Sequence, residues 1–115
     1  MTPEPTAFAD AYAMVKVICM EKPDMEIGVI INIAKNEADS KNIFDKFSEI
    51  VEKFLGKRIA YHGCIVRDNA VGEAIMRQIP LAVYAGKSPS MQSIRKIARN
   101  LLGLENTKQV TIFNR

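Results

Sequence analysis

Cysteine, histidine, long apolar runs and charge excess are all scarce in this sequence, and each scarcity removes a class of function. Cys19 and Cys64 are the two cysteines and His62 the one histidine. A metal centre needs such ligands clustered at short spacing, and none are. Two isolated cysteines fit a cytoplasmic protein with reduced, buried thiols. The longest uncharged apolar run, Ile27 to Ile33, is interrupted by Gly28 and Asn32 and is too short to span a bilayer. Met1 is followed at once by Thr-Pro-Glu-Pro, so no secretory signal is expected. The 16 Lys and Arg are interspersed with 13 Asp and Glu for a net charge of +3, which is no nucleic-acid signature. Repeats, low-complexity segments and linkers are absent. What remains is a 115-residue chain, 48% hydrophobic and 25% charged. That is ordinary for one soluble domain or a piece of one.

Periodicity gives the order helix, strand, helix, strand, helix, helix. The first helix should start at Pro5 or Thr6, with Thr6 as a cap and Glu4 and Asp10 near its positive end. Phe8, Ala11, Tyr12, Val15, Ile18 and Cys19 form its apolar face, and Lys22-Pro23-Asp24 stops it. Ile27 to Ile33 is β-branched and apolar on both faces, as for a strand covered on each side. Asn36 or Ser40 opens a long amphipathic helix whose buried stripe is Ser40, Ile43, Phe44, Phe47, Ile50, Val51, Phe54 and Leu55. Gly56 ends it as a left-handed cap. Ile59 to Val66 is a second strand, Ala70 to Arg77 a short helix, and Leu81 to Ala85 an apolar, extended stretch. Ser88-Pro89 opens the last helix, with Met91, Ile94, Ile97, Ala98, Leu101 and Leu102 inward and Gly103 closing it. Gln109 to Asn114 reads as a short strand or a sticky extension. Alternating strands and helices imply a parallel sheet with crossovers. Two strands alone make a poor sheet, so the fold class is α/β, part of a larger doubly wound domain.

Ligands of doubly wound folds bind beyond the carboxyl ends of the strands. Three segments fall there: Thr2-Pro3-Glu4-Pro5, Asn32 to Asn36, and Val66-Arg67-Asp68-Asn69. All three would line one crevice, and each offers groups suited to a purine. Asn32 has an amide with donor and acceptor, Asp68 a carboxylate for an exocyclic amine, and Val66 with Arg67 a surface for the ring face. The structural alternatives stay open: Asn32 as a turn or cap residue, Asp68 as the N-cap of the following helix, and His62 as a packed core histidine. Gly86-Lys87-Ser88 imitates the end of a phosphate loop. The full pattern needs a glycine where Leu81 stands, and Pro89 lacks an N–H the cradle would use. No strand ends in an acid placed to hold magnesium, so no nucleotide hydrolysis is expected of this chain alone.

Taken in order, these segments resemble the flagellar number regulators (FlhG or YlxH) of the MinD/ParA class of deviant Walker A ATPases. Thr2-Pro-Glu-Pro-Thr-Ala7 with Asp10-Ala-Tyr12 is similar to the start of their switch helix, and Val29 to Asn36 to their strand ending in Asn. Phe54-Leu-Gly56, Gly63 to Asp68, Val71, Ala74, Pro80 and Ile-Arg-Lys-Ile-Ala-Arg of the last helix continue the pattern. The likeness runs from Thr2 to about Gly103. It implies that residues 1–103 are the C-terminal half of a P-loop NTPase-like, three-layer doubly wound domain, with 104–115 a tail. It further implies ATP or ADP with magnesium in an intact protein, and weak or no binding in this chain. By the same resemblance Asn32, Val66, Arg67 and Asp68 face adenine, and Glu4 lies near a dimer interface where it can approach the nucleotide of the partner subunit. Val66 stands where proline is usual. Implied partners are a second copy or another MinD-like subunit, and regulatory or flagellar assembly proteins that engage the first helix around Asp10, with peripheral contact to the inner face of the cell membrane. Lys108, Phe113 and Arg115 make no strong amphipathic pattern there. The rival reading is an interaction or dimerisation module that works without nucleotide through its first helix or open sheet edge.

Overall fold

Most helix boundaries follow from local chemistry. In the computed structural model, which describes residues 1–103, α1 (Pro5–Glu21) begins at a proline, whose missing N–H costs nothing there. Glu4 holds the N-cap position with extended backbone and no side-chain cap, so Thr6 lies inside the helix and caps nothing. β1 (Gly28–Ala34) follows. Asn36 opens α2 (Glu37–Leu55), accepting the Asp39 amide at 2.7 Å, and Gly56 closes it with φ 63°. β2 (Ala60–Val66), α3 (Asn69–Arg77), α4 (Leu81–Tyr84) and α5 (Pro89–Leu102) complete the order. The expected strand or extension at Gln109 to Asn114 lies outside the described residues. The chain divides into two compact units, Met1–Arg67 and the residues from Asp68 onward.

In the first unit β1 and β2 pair in parallel, joined through α2. α1 and α2 pack on each other, and α2 covers both strands. Val15, Val29, Ile31, Ala34, Phe44, Phe47 and Val51 form the core, with Phe8, Tyr12, Cys19, Tyr61 and Cys64 packed against it. Phe8 meets Phe47 edge to face at 5.0 Å. Fully buried Ser40 hydrogen-bonds the Tyr61 hydroxyl and donates to Glu37 O. Burial raises the Tyr61 phenol above its ordinary pKa. Two sequence expectations change here. β1 buries Val29, Ile31 and Ala34 but exposes Gly28, Asn32 and Ile33, because both helices of the unit serve one face. Phe54 is 64% exposed: Leu55 takes the last packing position of α2, and Phe54 lies under the Lys53 ammonium. Both cysteines are free and half-buried.

Backbone pairing in this sheet has two irregularities. Between Val29↔Tyr61 and Ile30↔Gly63, β2 holds an extra residue, His62; between Asn32↔Ile65 and Ala34↔Val66, β1 holds an extra residue, Ile33. Bulges are uncommon in parallel pairs and re-aim the inserted side chain. On the other edge of β1, the Met1 ammonium donates to Ile30 O and the Asn32 amide donates to Met1 O, a parallel bridge at Ile31.

The described part of the second unit is helical. Asp68 caps α3, and Gln78 ends it in the left-handed region. Leu81 to Tyr84 is helical where an extended stretch was expected. Pro80 presets the turn, and its carbonyl accepts from Val83 and Tyr84, closing one helical turn. In α5 Ile97 is buried and Met91 half-buried, while Ile94, Ala98, Leu101 and Leu102 are exposed, so its inward face is narrower than the spacing predicts. Among the described residues no helix is long and apolar enough to cross a membrane.

Candidate functional site

The bulge in β1 falls at the carboxyl end of the sheet. Ile33 adopts φ 57° and is 45% exposed. For a β-branched residue that conformation is a true outlier, a strain of about 1–3 kcal/mol that persists only where the surroundings hold it. Asn32 holds it, its Oδ1 accepting the Ile33 amide at 2.9 Å. One residue on, the Arg67 amide donates to Ala34 O at 2.8 Å and carries the pairing past the end of β2. Together these fix a cleft of about 160 Å³ lined by Thr2, Pro3, Glu4, Ile33 and Arg67.

Each of the three segments expected to share a crevice thus contributes to one cleft. Its walls include Pro3 and Ile33, and its charged members are Glu4 and Arg67, the latter forming no salt bridge among the described residues. A flat heteroaromatic ring suits such walls, with the guanidinium stacked on it or bonded to its edge. The volume is below the roughly 300–1,000 Å³ of ordinary ligand pockets, a space for a ring rather than a whole nucleotide.

The remaining sequence candidates are placed differently. Asn32 is exposed beside the cleft, with its amide oxygen engaged by Ile33. Val66 is half-buried in register with Ala34 and does not line the cleft. Asp68 belongs to the second unit and is bound there: Oδ1 accepts the Ala70 amide at 3.0 Å, and Oδ2 accepts the Ser90 amide at 3.1 Å and the Ser90 hydroxyl at 2.7 Å. Those bonds, the Ser90 hydroxyl first, lower its pKa to about 2. The carboxylate therefore joins the starts of α3 and α5, in line with the capping reading. Gly86-Lys87-Ser88 forms the turn before α5. Gly86 O accepts from Arg95, and a Cβ at Gly86 would lie 2.7 Å from Ala82 O, so this glycine serves a close backbone approach. Thr2, Pro3 and Ile33 are cleft residues beyond the named candidates. Only the habit of Asn side chains to bond nearby backbone hinted at the turn that presents Ile33.

No family model matches the chain. Among curated proteins it is 31% identical over 91 residues to the antiactivator FleN of Pseudomonas aeruginosa. The match covers 79% of this chain and 32% of FleN, so the chain spans about a third of the length of the relative it matches. The chain is related to FleN.

Proposed function

We propose that this chain is the C-terminal, adenine-contacting half of a MinD/ParA-type ATP-binding switch that regulates flagellar number or placement. The observation that carries the reading is the convergence of Thr2-Pro3-Glu4, Ile33 and Arg67 on one cleft at the carboxyl ends of two parallel strands. Asn32, adjacent in sequence to Ile33 and exposed, has an amide nitrogen with no hydrogen-bond partner among the described residues, a group that suits a base edge. Relatedness to an antiactivator supports a regulatory role. The parallel bridge of Met1 to Ile31 supports a further strand beside β1 in the intact doubly wound sheet. ATP or ADP with magnesium is the ligand of that intact protein, and the phosphate contacts and the hydrolytic groups belong to the other half.

Isothermal titration of the chain with Mg-ATP, paired with a phosphate-release assay, tests this. The expected result is binding at about millimolar concentration with no release above buffer, since most phosphate contacts are missing. Sustained phosphate release contradicts the catalytic part, and no interaction at tens of millimolar contradicts the adenine part.

A second reading rests on α1. Beyond its core-facing side the helix exposes Met14 (62%), Val17 (49%) and Met20 (75%), a second apolar stripe beside Asp10. A helix apolar on two sides is usually covered on both. Adaptable methionines suit a protein surface such as a regulatory partner or another subunit. Under this reading alone, the same titration shows no nucleotide interaction.

A further inference from the structure

The other bulge lies where the two strands begin, in the first unit, at the end of the sheet away from the strand-end cleft. A cleft of about 530 Å³ opens there, with Glu26, Gly28, Lys57, Arg58 and His62 among its lining residues. Three backbone features place the His62 ring in it. His62 is the extra residue of the β2 bulge, which turns its side chain out of register. The next residue has φ 119°, a conformation that glycine at position 63 adopts freely and other residues rarely do. The ring then lies on the backbone of Gly28, where a Cβ would collide with its Cδ2 and Nε2. The ring nitrogens have no hydrogen-bond partner among the described residues.

Two cationic residues line the same cleft. α2 stops at Gly56, and the next two residues, Lys57 and Arg58, reach the cleft before β2 begins. The Lys57 ammonium donates to Pro23 O at 2.8 Å, which ties it to the preceding loop and leaves two of its three N–H bonds without a partner among the described residues. The Arg58 Nε lies 3.9 Å from Glu52, and its side chain is 92% exposed, a loose pair that a better acceptor can displace. Cations after a helix also offset its negative end, which accounts for Lys57 and Arg58. It accounts for neither the bulge, Gly63 nor Gly28, which together set the ring on Gly28 in a cleft that both cations also line.

We propose that this cleft binds a phosphomonoester of a small soluble molecule. Lys57, Arg58 and His62 supply three kinds of donor for the phosphate oxygens, and Ile27 and Ile59 line the space for the organic part. The volume falls within the roughly 300–1,000 Å³ typical of small-molecule sites. Glu26 on the rim opposes the anion and limits its affinity.

The test is an amide NMR titration of the full chain with inorganic phosphate at constant ionic strength. The expected result is saturable shifts at Gly28, Lys57, Arg58 and His62. Arg58→Glu, at an exposed position that leaves folding intact, weakens binding about tenfold or more. Glu26→Gln tightens binding, and Gly28→Ala removes the His62 response. Shifts that do not saturate, or an affinity unchanged by Arg58→Glu, overturn the proposal. The shifts fall on residues outside the adenine cleft, so this result is read independently of that one.

Discussion

Asp68 shows how one side chain can hold a unit together. Its oxygens accept from the first turn of α3 and from the buried Ser90 at the start of α5, 22 positions along the chain. Both helix starts present unpaired N–H groups and a partial positive charge, so an anion placed between them serves both. Its folded pKa of about 2 lies below the ordinary 3.8. A depressed carboxylate pKa means the contribution is complete above 3.8 and is lost as pH falls through the window down to about 2. Asp68→Asn should lower the melting temperature by several degrees at pH 7 and flatten the acid-induced loss between pH 4 and 2, measured by circular dichroism. The capping half of this role was readable from Asp68-Asn69 preceding an apolar helix. The bond to Ser90 was not, because it depends on a non-local approach that no local pattern encodes. Ile33 is the same case in backbone form. Isoleucine is a strand residue by propensity, and its left-handed φ follows from the bulge, not from its identity.

At the scale of elements, α2 was the most legible and is the most consequential. Its Asn36 cap, its Gly56 stop and its Ser40, Phe44, Phe47 and Val51 stripe stand where the period of 3.6 predicts. Phe54 continues that period yet is exposed, since periodicity marks a face and not how far along the helix a partner extends. The two phenylalanines therefore part ways on substitution. Phe47→Ala should destabilise the chain by about 3–5 kcal/mol through a core cavity. Phe54→Gln should change it by roughly 0.5 kcal/mol or less. Urea denaturation of the two variants checks both. α4 shows the opposite limit: a short apolar run does not distinguish one helical turn from a strand, and the carbonyl of Pro80 decides it.

For the whole molecule, the α/β order and the parallel direction were legible because strands alternate with a crossover helix. That three distant segments would meet was also legible, since the carboxyl ends of parallel strands lie together. Which of their residues line the cleft was not: Ile33, Pro3 and Thr2 do, Val66 does not, and Asp68 is committed to the second unit. The bulges decide this. Each adds a residue to one strand, and each stands beside a cleft, so the same irregularity shapes both ends of a seven-residue pair. The proposed function rests on the strand-end cleft accepting an adenine ring. The most direct test is an amide NMR titration of the chain with adenosine, which removes every phosphate contribution. Saturable shifts should centre on Glu4, Asn32, Ile33 and Arg67 and weaken in Arg67→Ala. Absence of shifts there, or shifts confined to other residues, would rule out adenine binding in this cleft.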